Sequence, residues 1–142
     1  MILVDTNVVM YAAGAEHAFK EPSVVFLERA VRGELVAMVD AETLQEILHR
    51  YRSIGRWEDG QRVYDLARRV LPMTIPIDDV VTDRARELMD TYPRLIARDA
   101  VHAAVVLTRK LEGIASFDRD FDGIRGLRRI EPKTKAPRKA RG

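Results

Sequence analysis

The chain has 142 residues, enough for one domain with a proper core and too few for two. Apolar residues at 46% and charged residues at 32% argue against global disorder, and no apolar run is long enough to cross a bilayer. The formal charge of +2 comes without cysteine and with three scattered histidines, His17, His49 and His102, so thiolate and multi-histidine zinc sites are excluded and any metal has to be held mainly by oxygen.

The first residues, Met1-Ile2-Leu3-Val4-Asp5, form a short apolar run that ends in an acid. Such a run suits a strand buried on both faces of a parallel sheet. It has neither the basic start nor the long apolar stretch of a secretory signal, so cytoplasmic residence is the default expectation. A helix is expected from near Asn7. Val24, Val25, Leu27, Ala30 and Val31 mark another helix closed by Gly33, and Leu35 to Val39 reads as the second strand.

Thr43 to Tyr51 carries Leu44, Ile47 and Leu48 at helical spacing, and after Gly55 a further helix is predicted from Glu58 to Leu71, ended by Pro72. Met73 to Ile77 is the third strand. Acids at Asp78 and Asp79 open a helix through Met89 that Pro93 stops. From about Arg98 to Leu111 the pattern is apolar almost all round, which predicts a central helix packed closely on the sheet through its alanines. Ile114 to Phe117 and Leu127 to Ile130 complete the strands. Strands alternating with helices imply the α/β class, a three-layer α/β/α sandwich around a mainly parallel sheet.

Residues 1–132 make the domain. The last ten residues hold Lys133, Lys135, Arg138, Lys139 and Arg141 without an acid, which leaves the body at about −3 by formal counting. Contact with nucleic acid is one reading of that tail. A solvated, frayed and disordered terminus is the preferred one, because Pro132, Pro137 and Gly142 discourage regular structure.

In an open parallel sheet, functional groups gather beyond the carboxyl ends of the strands. Asp5 ends the first predicted strand, Asp118 closely follows the fourth, and Asp99 sits in the first turn of the apolar helix. Glu46 lies mid-helix after the second strand. Each has an ordinary explanation as a helix cap, a turn residue or a solvated charge. Brought together, four carboxylates repel and raise some pKa values unless a divalent cation neutralises them, which points to a hard oxygen-ligand site.

Four segments carry a resemblance: Met1-Ile2-Leu3-Val4-Asp5-Thr6-Asn7-Val8, Glu46 within Thr43-Leu44-Gln45-Glu46-Ile47-Leu48-His49, Arg98-Asp99-Ala100-Val101-His102-Ala103-Ala104, and Ser116-Phe117-Asp118-Arg119-Asp120-Phe121-Asp122. Their order and spacing over residues 1–132 resemble the PIN-domain nucleases and, within them, the short VapC-type toxins of bacterial and archaeal toxin–antitoxin pairs. The resemblance implies catalytic, metal-binding acids at Asp5, Glu46, Asp99 and Asp118, with Asp120 or Asp122 as a candidate fifth. It also implies supporting hydrogen bonds from Asn7 and Ser116, Mg²⁺ or Mn²⁺ as cofactor, an RNA substrate, a cognate antitoxin and a homodimer.

The implied chemistry is metal-assisted hydrolysis of a phosphodiester, leaving a 5′-phosphate and a 3′-hydroxyl. A metal-independent route would need His102, one turn after Asp99, although a lone histidine on so apolar a helix reads first as a satisfied packing residue. Arg50, Arg52, Arg56, Arg94 and Arg98 are candidates to guide the RNA backbone. The alternative function is a PIN-like domain that binds RNA or protein without cutting. A receiver domain is disfavoured because Thr6, not a second acid, follows Asp5, and a dehalogenase-type phosphatase because Asn7 stands where it needs an acid.

Overall fold

The computed structural model describes residues 1–134. It contains five strands, β1 (Ile2–Val4), β2 (Ala37–Asp40), β3 (Thr74–Ile75), β4 (Gly113–Ala115) and β5 (Arg129–Ile130). Six α-helices lie between them: α1 (Thr6–Ala13), α2 (Lys20–Val31), α3 (Ala41–Ser53), α4 (Trp57–Val70), α5 (Asp79–Thr91) and α6 (Ala97–Arg109). All strand pairs are parallel, in the order β3-β2-β1-β4-β5.

Period-two alternation sorts the strand side chains into two cores. Leu3, Met38 and Ile114 face α5 and α6, meeting Val81, Leu88, Ala100, Ala103 and Ala104. Val4, Val39 and Ala115 face the other way, onto Val8, Phe26, Ile47, Val63 and Ala67 of α1 to α4. This is the expected three-layer sandwich, and the apolar runs of the strands follow from burial on both faces. Helices α3 and α4 pack so closely that a side chain at Gly60 would run into Tyr51 Cβ.

Helix ends agree with the sequence pattern to within about two residues, except that α2 begins at Lys20, a turn before the apolar pattern that starts at Val24. β1 spans the predicted Ile2–Val4, and the other strands are shorter than predicted. Of the Met73–Ile77 segment only Thr74 and Ile75 form β3, and the last strand keeps only Arg129 and Ile130. Both are edge strands with a partner on one side, so pairing ends where the chain turns away. A 3-10 turn over Arg119–Gly123 was not legible as such. Residues 135–142, most of the predicted disordered tail, lie outside the described residues.

Chain order places a switch point between β1 and β4. From β1 the chain winds outward through β2 and β3 on one side, then crosses to β4 on the other side of β1. Loops leaving the carboxyl ends of β1 and β4 therefore diverge, and a crevice opens between them.

Candidate functional site

The crevice is a cleft of about 380 Å³ lined by Asp5, Asn7, Glu46, Asp99 and Asp118, with Arg50, Arg56 and Arg98 and the side chains of Met10 and Tyr11. Residues from four distant segments thus meet on one wall, in the loops and helix turns at the ends of β1, β2 and β4. Asp5 caps α1, its Oδ1 accepting from the Thr6 amide at 2.8 Å. That capping role was its ordinary reading, and the structure gives it a second engagement: Ser116 Oγ donates to Asp5 Oδ2 at 2.6 Å.

Ser116, fully buried beyond β4, is the hub of the site. Its oxygen also accepts from Asn7 Nδ2 at 3.2 Å and from the Asp118 amide at 3.0 Å. One hydroxyl therefore fixes Asp5 and the start of the Asp118 loop, while Asn7 reaches the carboxylates only through it. Asp118 then caps the 3-10 turn by accepting from the Asp120 amide at 2.9 Å. Asp122 is turned away, paired with Arg129 at 2.7 Å on the surface. Asp120 is exposed on the rim of an adjoining cleft that also contains Asp99 and Asp118.

Glu46, on the inner face of α3, is held at Oε1 by Arg98 Nε at 3.1 Å, while its Oε2 is buried without a hydrogen-bond partner. Burial pushes the Glu46 carboxyl up, but proximity to His102 and Thr6 and the charge of Arg98 outweigh it, so it lies below its ordinary value. Asp99 behaves in the opposite way. Burial, reinforced by the negative charges of Asp5 and Asp118, pushes its carboxyl up to about 6. Asp5 is also raised, first by burial, against the opposing charge of His102 and the Ser116 hydrogen bond.

Beneath the cleft lies a residue the sequence reading missed. Asp40 ends β2, is completely buried, and does two jobs: Oδ1 accepts from the Thr43 amide at 3.0 Å, capping α3, and Oδ2 meets His102 Nδ1 at 2.7 Å. An acid at the end of the second strand, matching Asp5 at the end of the first, was the available signal. His102 is a buried packing residue as expected, but it is only half satisfied. Its Nε2 has no hydrogen-bond partner and stands 3.8 Å from Asp5 Oδ1 and 3.9 Å from Glu46 Oε2. Burial alone favours the neutral ring, yet the surrounding carboxylates, Asp40 first, raise its pKa well above the ordinary value.

Of the candidate arginines, Arg50, Arg56 and Arg98 line the main cleft and Arg94 the adjoining one. Arg52 instead packs over the Trp57 ring at 4.2 Å.

Among the described residues, no three Asp, Glu or His side chains already stand at mutual ligating distance. The donor set nevertheless suits a hard cation: the lining acids supply oxygen alone, Glu46 Oε2 and Asn7 Oδ1 are buried without partners, and Asp99 holds its proton unusually well, first because it is buried and then because it faces two other carboxylates. A cation between them would relieve that repulsion.

Comparison with known proteins identifies the family and the fold. Residues 2–127 match the PIN domain family. The chain is 41% identical to ribonuclease VapC13 of Mycobacterium tuberculosis over 130 residues, 92% of this chain and 99% of that protein. Among solved structures it resembles VapC20 of Mycobacterium tuberculosis, described as a sarcin-ricin loop cleaving toxin, with a TM-score of 0.70 at 17% identity over 86% of this chain and 93% of that one. A toxin-antitoxin complex from Klebsiella pneumoniae superimposes with a TM-score of 0.65 at 17% identity, covering 94% of this chain and 98% of its own. At such identities the two structures speak for the fold alone.

Proposed function

The chain belongs to the PIN-domain family, and from that premise we propose that it is a metal-dependent endoribonuclease, the toxin of a toxin–antitoxin pair, with Asp5, Glu46, Asp99 and Asp118 as the acids of its active site. The observation that carries the reading is the convergence of those four carboxylates on one cleft, with the Asp99 carboxyl pushed to about 6 by burial and two negative neighbours. The ribonuclease names of its relatives support the substrate class.

Mg²⁺ or Mn²⁺ is the fitting cofactor. Asp5, Asp99 and Asp118 would hold it, with Glu46 in the same cleft and Asp120 in the adjoining one as further oxygen donors. When bound, such an ion supplies an activated water and positive charge for the phosphoryl oxygens of the RNA. The remaining work falls to the chain itself. Ser116 and the Thr6 amide fix both oxygens of Asp5, so its orientation is set before any ligand arrives. Arg50, Arg56 and Arg98 offset the charge of the RNA backbone, a contribution independent of sequence that weakens with salt. Fully buried Asp40 and His102 make a rigid floor under the acids.

An antitoxin that covers the cleft is the natural partner, in keeping with the toxin-antitoxin complex of the same fold. A homodimer is the proposed assembly, to be measured by light scattering of the pure protein. No helix among the described residues is long and apolar enough to cross a membrane.

The test is incubation of the pure protein with total cellular RNA, with and without Mg²⁺ or Mn²⁺, followed by sequencing of the cut ends. Cleavage that needs the metal and leaves 5′-phosphates is expected. Undiminished cleavage in excess chelator, or cyclic phosphate ends, would overturn it.

A further inference from the structure

A phosphodiester has a nucleotide on each side, so a strand cut at the acids has to leave the site in two directions. The cleft described above accommodates one of them. On the other side of Asp99 and Asp118 lies a second cleft, of about 320 Å³, which shares Arg98, Asp99 and Asp118 with the first. The two acids therefore line both clefts.

The second cleft has the chemistry of a nucleotide site. Arg94 and Arg98 are exposed in its lining, and Arg94 makes no ion pair among the described residues, whereas Arg98 is tied to Glu46. Beside them stand Leu95, Ile124 and Ile96, and Ile96 is 49% exposed although it is a large aliphatic side chain, at the end of the short loop 92–96 between α5 and α6. An unpaired guanidinium next to an apolar wall suits a phosphate joined to a base or ribose.

The cleft is also preformed. Tyr92 Oη accepts from the Arg125 amide at 2.9 Å, which ties the loop between α5 and α6 to the loop after the 3-10 turn. Leu95 and Ile124 are buried in the core cluster beneath α6. Asp120 on the rim repels phosphate, so the phosphate belongs on the Arg94 side.

We propose that this second cleft is the subsite for the nucleotide on the far side of the scissile bond: a single RNA strand runs from one cleft to the other across Asp99 and Asp118, with a flanking phosphate at Arg94 and a base or ribose against Ile96. This rests on the ribonuclease reading. Two residues outside the acid cluster thereby become determinants of which strands are cut efficiently, and a strand too short on that side loses them.

The experiment uses the full chain with divalent metal and RNA oligonucleotides built around the mapped cut. One series is lengthened a nucleotide at a time on the 5′ side and the other on the 3′ side. For the parent, kcat/KM rises with length in both series. Arg94→Ala and Ile96→Ser, both at exposed positions, are expected to abolish the rise in one series only, acting mainly through KM. Arg94→Ala should also lower the slope of log kcat/KM against log salt by about 0.7, the release expected for one phosphate contact on a single strand. Arg94→Lys should keep that slope, and Ile96→Ser should leave it unchanged.

Equal loss in both series, no loss in either, or an unchanged salt slope for Arg94→Ala would overturn the subsite while leaving the nuclease intact. Failure of the parent to cut any RNA would sink the nuclease reading itself.

Discussion

Replacing Asp99 by Asn should inactivate the protein and, in the presence of chelator, stabilise it. The carboxyl is raised from 3.8 to about 6, first by burial and then by Asp5 and Asp118. At about 1.36 kcal/mol per unit the shift sets a ceiling of about 3 kcal/mol on the cost of ionising Asp99 in the folded state. The side chain faces an open cleft, where solvent screening reduces such figures, and about 1–2 kcal/mol is the working expectation. For a chain of this size that is roughly 2–8 °C in Tm.

The pH dependence follows from the sign of the shift. The folded-state pKa lies above that of the unfolded chain, so below about pH 4 both states keep the proton and Asp99 costs nothing. Between about pH 4 and 6 the unfolded chain releases its proton first, and stability falls as pH rises; above about 6 the penalty is complete. Asn carries no such charge, so the gap between variant and parent should open from near zero at the acid end to its full size by pH 7.5, and shrink with added salt. Divalent metal should then stabilise the parent more than the variant. Thermal melts from about pH 3.5 to 7.5, with chelator and with Mg²⁺, read all of this. A variant that melts below the parent in chelator at pH 7.5, or a gap that does not change with pH, would refute the account of repulsion.

Asp40→Ala leaves His102 buried without its partner and removes the cap of α3, so a loss on the order of 3–5 kcal/mol is expected by urea denaturation, well beyond a cap alone. Ser116→Ala removes the donor that fixes Asp5 and the acceptor shared by Asn7 and the Asp118 amide; Mn²⁺ affinity by calorimetry should fall about 10- to 100-fold, with cleavage partly recovered at high metal. Gly60→Ala drives a methyl group into Tyr51 where α3 meets α4, and should cost about 1–3 kcal/mol in the same denaturation assay without altering metal affinity.

Much of the fold was legible because its signals are local. Apolar runs ending in acids marked β1 and the segment of β4, and the alanine-rich stretch after Asp99 announced a helix lying directly on the sheet. The parts that escaped depend on partners far along the chain. Asp40 looks like a charge just past the end of an apolar strand; its meaning comes from His102, which the α6 crossover brings beneath the cleft. Asp120 and Asp122 are equivalent in the sequence, and only the pairing of Asp122 with Arg129 separates them. Likewise, five arginines of equal charge were sorted by packing alone, with Arg52 drawn onto Trp57 and out of the cleft.

The strand order has a consequence for synthesis. β1, the first strand of this domain to be made, lies at the centre of the sheet, and its neighbour on one side is β4, encoded more than 100 residues later. Until that segment leaves the ribosome, one edge of β1 stays unpaired, and Ser116 and Asp118 are absent from the site. A nascent chain therefore carries an open sheet edge, a hazard for aggregation. It also carries an unfinished set of the acids proposed for the active site, so on that proposal the domain gains its cutting power only when its own translation is nearly over.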